Sequence, residues 1–148
     1  MTITQATLDN LPALAPVFDA YRVFYRKTSD TFAASQFLSE RLCQQDSVIY
    51  ISITDDSKIN GFVQLYPLFS STRMRKLWML NDLFVLAEYR GQGISKALIE
   101  AAKSLATNTN SCGLLLETEK NNAAANELYK NTDFTLDSDH NYYSWDVS

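Results

Sequence analysis

Histidine occurs once in this 148-residue chain, at His140, and cysteine twice, at Cys43 and Cys112. A lone histidine and no cysteine pair at zinc spacing leave a metal centre without support, so no metal ligand is expected. Both cysteines lie beside apolar runs and read as buried reduced thiols, not as a disulfide or a nucleophile. An excess of basic residues is also missing: 17 acidic side chains stand against 13 basic ones, for a net charge of -4. That balance argues against a polyanion-binding surface, and hence against a nucleic-acid module. The apolar runs are far shorter than a bilayer requires, so no membrane association is expected. Residues 1–10 lack the basic and apolar regions of a signal peptide, which makes a cytoplasmic location the default. Repeats, low-complexity segments and linkers are absent as well. What remains is 46% hydrophobic and 20% charged residues, the composition of a globular protein, with a length that suits one domain over residues 1–148.

The most informative stretch runs from Trp78 to Leu105. Leu80, Leu83, Phe84, Val85 and Leu86 form the apolar run of a buried strand. Farther on, Ile94, Ala97, Leu98, Ala101, Ala102 and Leu105 recur at spacings of three and four, one stripe of a helix. Between them lies Arg90-Gly91-Gln92-Gly93, which falls at the helix N-terminus. Backbone N–H groups there have no intrahelical partner, and the helix dipole is positive. Such a loop binds phosphate. Gly91 and Gly93 allow close approach and positive φ, so the amides of Gly91, Gln92, Gly93, Ile94 and Ser95 converge on an anion. The loop is neither a dinucleotide fingerprint, since Lys96 stands three residues after Gly93, nor a Walker loop, since no G-K-[ST] follows.

Arg90-Gly91-Gln92-Gly93-Ile94-Ser95 resembles motif A of the GCN5-related N-acetyltransferases (GNAT), Q/R-x-x-G-x-G/A. Downstream, Asn122-Ala123-Ala124-Ala125-Asn126-Glu127-Leu128-Tyr129, followed by Phe134, resembles the family's N-x-x-A-x-x-L-Y-x-x-x-G-F segment. Two departures stand out. Ser95 replaces a Gly or Ala, and Asp133 replaces the glycine before Phe134; Asp visits positive φ more readily than most residues. The run from Asn81 to Val85, followed by Tyr89-Arg90-Gly91, looks most like the branch acting on diamines, polyamines and small amines. Several of those carry an acid at the position of Asn81, which is neutral here and argues against polyamine specificity.

The resemblance implies transfer of an acetyl group from acetyl-CoA to an amine. It places the pyrophosphate on the amides of residues 91–96, with Arg90, Lys96 or Lys130 available to other phosphates. It puts Leu83, Phe84 and Val85 along the pantetheine arm, and Asn122 and Ala125 at the cofactor. Tyr129 stands where the family has its general acid. A phenol can return a proton to a departing thiolate, and an alkylammonium with a pKa near ~10.4 must first lose one. Asp82 and Glu117, near the ends of two strands, are both candidates to accept that proton through water. The acceptor site falls to Tyr21, Arg22, Tyr25, Asn81 and Asp82, whose rings and carboxylate suit a cationic amine, with the tail around His140 and Tyr142 as a further contributor. A small-molecule amine is the expected substrate. Acetylation of a protein or peptide, or acetyl-CoA binding without turnover, stays open. The resemblance also implies a homodimer.

The remaining elements follow from pattern. A first strand at residues 2–6 precedes a helix bearing Leu11, Leu14, Phe18, Tyr21 and Tyr25 on one face, with caps at Thr7, Asp9 or Asn10 and weakening at Pro16. A second helix at residues 31–43 is capped by Ser29 or Asp30. Strands at 48–53 and 59–70 flank a turn at 55–58. Residues 113–116 read as a further strand, and 134–136 and 141–147 as a final pair. The order β-α-α-β-β-β-α-β-α-β-β is not the alternation of a doubly wound fold. It is the α/β (α+β) order of the GNAT fold, a mixed twisted sheet whose fourth and fifth strands splay apart around the cofactor.

Overall fold

A computed structural model describes residues 1–148, which divide into two compact units, residues 1–117 and 118–148. The first contains β1 (Thr2–Gln5), α1 (Leu11–Phe24), α2 (Thr31–Gln44), β2 (Val48–Ile53), β3 (Ile59–Ser70), β4 (Arg75–Val85), α3 (Ile94–Asn108) and β5 (Leu114–Leu115). The strands lie in the order β1-β2-β3-β4-β5. All neighbours are antiparallel except β4 and β5, which are parallel.

Helices cover both faces of the sheet. From α1, Phe18 and Tyr21 pack on Phe62 of β3, at ring separations of 5.8 and 5.6 Å. Neighbouring Gly61 points the other way, as successive strand residues must. A Cβ there would lie 3.0 Å from the Phe84 carbonyl oxygen and 3.4 Å from Ile94 at the start of α3. Glycine therefore lets α3 approach the sheet. Leu14, Phe18, Ala34, Leu38, Ile49, Ile51, Phe62 and Phe84 build the core on the α1/α2 side. On α3 the buried residues are Ile94, Leu98, Ile99, Ala102 and Ala106. The stripe is thus rotated from the expected one, with Ala97, Ala101 and Leu105 only half-buried. Pro16 is accommodated inside a helix that continues to Phe24.

Two features of β4 open the sheet. Its pairing with β5 comprises Trp78 with Leu114 and Met79 with Leu115, so from Leu80 to Val85 that side of the strand has no neighbour. A bulge accompanies the opening: Leu65 of β3 faces Leu80 while Gln64 faces Asp82, leaving Asn81 over. The extra residue bends and twists the strand. This is the splay of the fourth and fifth strands.

The second unit contains α4 (Ala123–Lys130), capped by Asn122, whose side chain accepts the Ala125 N–H at 3.1 Å. The helix ends in a turn closed by the Phe134 N–H on the Tyr129 carbonyl at 3.0 Å, with Asp133 at φ 67°. Asp133 thereby adopts the left-handed conformation that glycine takes in such C-caps. The rings of Phe134 and Tyr129 meet at 5.5 Å, the apolar contact that accompanies this cap.

The two strands expected at 134–136 and 141–147 are not formed. Phe134 is committed to the helix cap. The Asp137 carboxylate then gathers the N–H groups of Asp139 and His140, the His140 ring and the Tyr142 hydroxyl into a turn. Beyond it residues 141–148 make no backbone hydrogen bond. Cys43 is exposed and Cys112 half-buried, so neither thiol is the buried group expected. No helix is long and apolar enough to cross a membrane.

Candidate active site

The glycine loop at the start of α3 has the chemistry of an anion cradle. Gly91 and Gly93 stand at φ 78° and 81°, and an added Cβ would meet nothing within 4 Å at either. Gly93 caps the helix without a side-chain bond. The first helical bond is from the Ala97 N–H to the Gly93 carbonyl at 3.1 Å, and the N–H groups of residues 91–96 donate to no acceptor in the chain. A row of uncommitted amides at a helix N-terminus, with open space before it, fits a pyrophosphate. The unpaired side of β4 fits the rest of acetyl-CoA, since Leu83, Phe84 and Val85 lie where a pantetheine arm can take the place of a strand. Arg90 serves the loop itself. Its Nε donates to the Val85 carbonyl at 3.0 Å, and its guanidinium lies over the rings of Phe24 and Phe84 at 5.3 and 5.5 Å.

A second feature lies on the α1/α2 side of the sheet. A cavity of about 480 Å³ is lined by Phe18, Tyr21, Arg22, Tyr25, Lys27, Ala33, Ala34, Phe37 and Asp82. It brings together Tyr21, Arg22, Tyr25 and Asp82, four of the residues expected at the acceptor. Asn81 joins them indirectly, its amide donating to Asp82 at 3.1 Å. Tyr21 is held edge-on to Phe62 and Phe84, and Tyr25 edge-on to Tyr21 at 5.1 Å. These rings are at once packed and pocket-lining.

Asp82 is the buried charge of this cavity, with 7% of its surface exposed. The Gln64 amide donates to its other oxygen at 3.0 Å, and the Ser47 hydroxyl donates to Gln64 at 3.1 Å. This chain orients the carboxylate without neutralising it, because no cation pairs with it. The Tyr66 phenol is pushed up to about 12, by burial first and by the Asp82 charge second. It therefore stays protonated at neutral pH. Gln64, Tyr66, Phe18, Lys27 and Phe37 were not legible as site residues. The signal for Gln64 is the β3–β4 register, which pairs it with Asp82; the same register sets Tyr66 opposite Met79.

The loop between α1 and α2 is fixed by Asp19. Its carboxylate accepts from the Ser29 hydroxyl at 2.6 Å and the Asp30 N–H at 2.8 Å, with Arg22 at 3.7 Å. The Ser29 bond, then the Asp30 bond, hold its pKa below the ordinary carboxylate value. A lowered folded pKa contributes stability that is present above the unfolded value, near ~3.9, and lost as pH falls through the folded one. Asp19→Asn is expected to cost about 1–3 kcal/mol at neutral pH. Its deficit in urea midpoint should shrink as pH drops below about 4; a deficit independent of pH would assign the loss to packing.

The remaining candidates are not among the residues that line this cavity. Glu117 is exposed and makes no hydrogen bond or ion pair. Lys96 is exposed on the first turn of α3 and Ser95 half-buried beside it. Asn122, Ala125 and Tyr129 belong to the second unit, where Ala125 and Tyr129 are half-buried on α4.

Comparison with known proteins bears on the same features. The model of the Acetyltransferase (GNAT) family matches residues 14–134. The chain is 40% identical over 147 residues to the uncharacterized N-acetyltransferase YhfO of Bacillus subtilis (strain 168), covering 99% of this chain and 98% of that protein. A probable acetyltransferase of Haemophilus influenzae is 33% identical over 82% of this chain and 83% of its own length. A crystal structure of a probable acetyltransferase superposes with a TM-score of 0.95 at 37% identity, covering 100% of this chain and 99% of that one. The uncommitted amides, the opened fourth strand and this likeness along the whole chain have one explanation: the protein is a member of the GNAT family, an acetyl-CoA-dependent acetyltransferase.

Proposed function

We propose that this protein acetylates a primary amine of a small molecule, with acetyl-CoA as donor. The observation that carries the reading is the cavity of about 480 Å³ whose buried carboxylate, Asp82, has no cationic partner. A buried charge without a counter-ion is costly, and an incoming ammonium offsets that cost. Aromatic walls from Phe18, Tyr21, Tyr25 and Phe37 add cation–π attraction and bury an apolar body. Arg22 and Lys27 on the same lining disfavour a second ammonium. The acceptor is therefore a compact monoamine, in keeping with neutral Asn81.

Acetyl-CoA supplies the acetyl group as a thioester. The amides of residues 91–96 hold its phosphates, and the open edge of β4 at Leu83, Phe84 and Val85 aligns its arm. Asp82, oriented by Gln64 and Asn81, takes the proton that the ammonium must lose before it attacks. Glu117, exposed and without partners, is the weaker candidate for that role. Tyr129, in the motif position of the family's acid, returns a proton to the thiolate, and Asn122 and Ala125 complete the cofactor's surroundings.

The test is release of free CoA thiol across spermidine, short diamines, amino acids, compact aromatic or alkyl monoamines and a lysine peptide, beside direct titration with acetyl-CoA. Turnover confined to monoamines is the expected result. Preference for the peptide would overturn the small-molecule assignment, and binding without turnover on any amine would favour a regulatory role.

A further inference from the structure

The acceptor cavity holds charges that an ammonium at Asp82 leaves unmatched. Asp82 is its one carboxylate, while Arg22 and Lys27 put two positive charges on the same lining. Neither cation is fully committed elsewhere. Arg22 uses one nitrogen within the protein: its Nη1 donates to the Thr28 carbonyl at 3.1 Å and lies 3.7 Å from Asp19. Its Nε and Nη2 meet no acceptor in the chain. Those two nitrogens form the planar edge that grips a carboxylate with parallel N–H bonds. Lys27 is exposed and pairs with no carboxylate.

Local structure sets the two cations side by side. α1 ends in a left-handed cap, with Arg26 at φ 69°. The Arg26 N–H donates to the Val23 carbonyl at 2.9 Å and the Lys27 N–H to the Arg22 carbonyl at 3.0 Å. These are the two bonds of a helix-closing turn, and the second returns Lys27 to the level of Arg22. Thr28 and Asp19 anchor Nη1, which leaves the opposite edge of the guanidinium as the free one.

A plain alkylamine would satisfy Asp82 and leave both cations beside its apolar body. We infer that the acceptor carries a carboxylate as well as its amine: it is an apolar amino acid. Its ammonium meets Asp82, its carboxylate meets the free edge of Arg22 with Lys27 beside it, and its side chain lies against Phe18, Tyr25 and Phe37. The inference rests on the monoamine reading and narrows it, since such an amino acid has one ammonium and no net charge. In the transfer, the amine nitrogen bonds to the thioester carbon as the C–S bond breaks. Of the two protons that the ammonium gives up, the departing thiolate takes up one and the other reaches solvent by way of Asp82. The products are an N-acetyl amino acid and CoA.

The experiment measures release of CoA thiol with leucine and phenylalanine, with their carboxamides, and with the decarboxylated amines isopentylamine and phenethylamine. It is run on wild type, Arg22→Gln and Lys27→Glu. The readout is the ratio of kcat/KM for the amino acid to that for its analogues within one preparation, so any unfolded fraction cancels. Wild type is expected to favour the amino acid by about 10- to 100-fold, the worth of hydrogen bonds to a charged group. The ratio should fall toward one in Arg22→Gln. It should also fall in Lys27→Glu, whose side chain makes no bond within the chain and which stays informative should the first variant fold poorly. Equal or faster turnover of the analogues by wild type would overturn the inference and leave the monoamine reading standing. A ratio that neither substitution moves would overturn it as well, since the preference would then come from other residues. No turnover of any of these amines would remove both the inference and the reading beneath it.

Discussion

Gly93→Glu is expected to abolish acetyl-CoA binding while leaving the protein folded. Two costs coincide at this position. Gly93 has φ 81°, a conformation that costs an L-residue about 1–2 kcal/mol. The larger cost is electrostatic, because the new carboxylate stands at the row of uncommitted amides on residues 91–96. Like charges about 4 Å apart repel by about 4 kcal/mol at the effective dielectric of a protein surface. That amounts to roughly a thousandfold in affinity. Gly93→Ala separates the two effects. Its Cβ would meet nothing within 4 Å, so only the conformational cost remains and binding should stay within about tenfold of wild type. Calorimetric titration of both variants decides the matter: unchanged affinity in Gly93→Glu would remove the loop from the cofactor site, and equal losses in both would attribute the effect to strain.

Asp82→Asn is expected to lower kcat/KM by about 10²- to 10⁴-fold, the usual worth of a positioned general base. The substitution keeps the volume of the side chain but not its chemistry. Asp82 accepts from Gln64 and from Asn81 on separate oxygens; an asparagine can accept from one and must turn an NH₂ toward the other. It also removes the charge that attracts the ammonium. A discriminating readout is the pH dependence. As pH approaches the amine's own pKa, near ~10.4, solvent deprotonates the acceptor and the base becomes dispensable. Activity of Asp82→Asn should therefore recover toward wild type at high pH. A constant deficit would mean that Asp82 binds and orients the amine without taking its proton.

Much of this protein is legible without a structure wherever the determining physics is local. β2 and β3 begin and end where their patterns predict, because alternation and the turn at 55–58 are short-range signals. Asp30 caps α2 as its side-chain chemistry dictates. Asp133, standing where the family has glycine, takes positive φ because a short polar side chain tolerates it. The glycine loop is legible for the same reason. Two glycines followed by an amphipathic run specify a helix N-terminus from neighbouring residues alone.

Other features depend on what a residue meets across space. The bulge that sets Asn81 apart and lines up Gln64 with Asp82 is a matter of register between β3 and β4, to which no local pattern speaks. Asp19 and Ser29 are separated by a helical turn and a loop, and only folding brings them together. The tail makes the point most plainly. Its sequence has the alternation of a strand, but a strand is completed by a neighbour's hydrogen bonds, and residues 141–147 make none. The sequence by itself determined the family, the glycine turn before α3 and the types of the elements up to α4, all of which rest on contiguous residues. Only the tertiary structure decided which carboxylate is buried and oriented, how the sheet opens, and that residues 141–147 form no strand, because each of these depends on residues far apart in the chain.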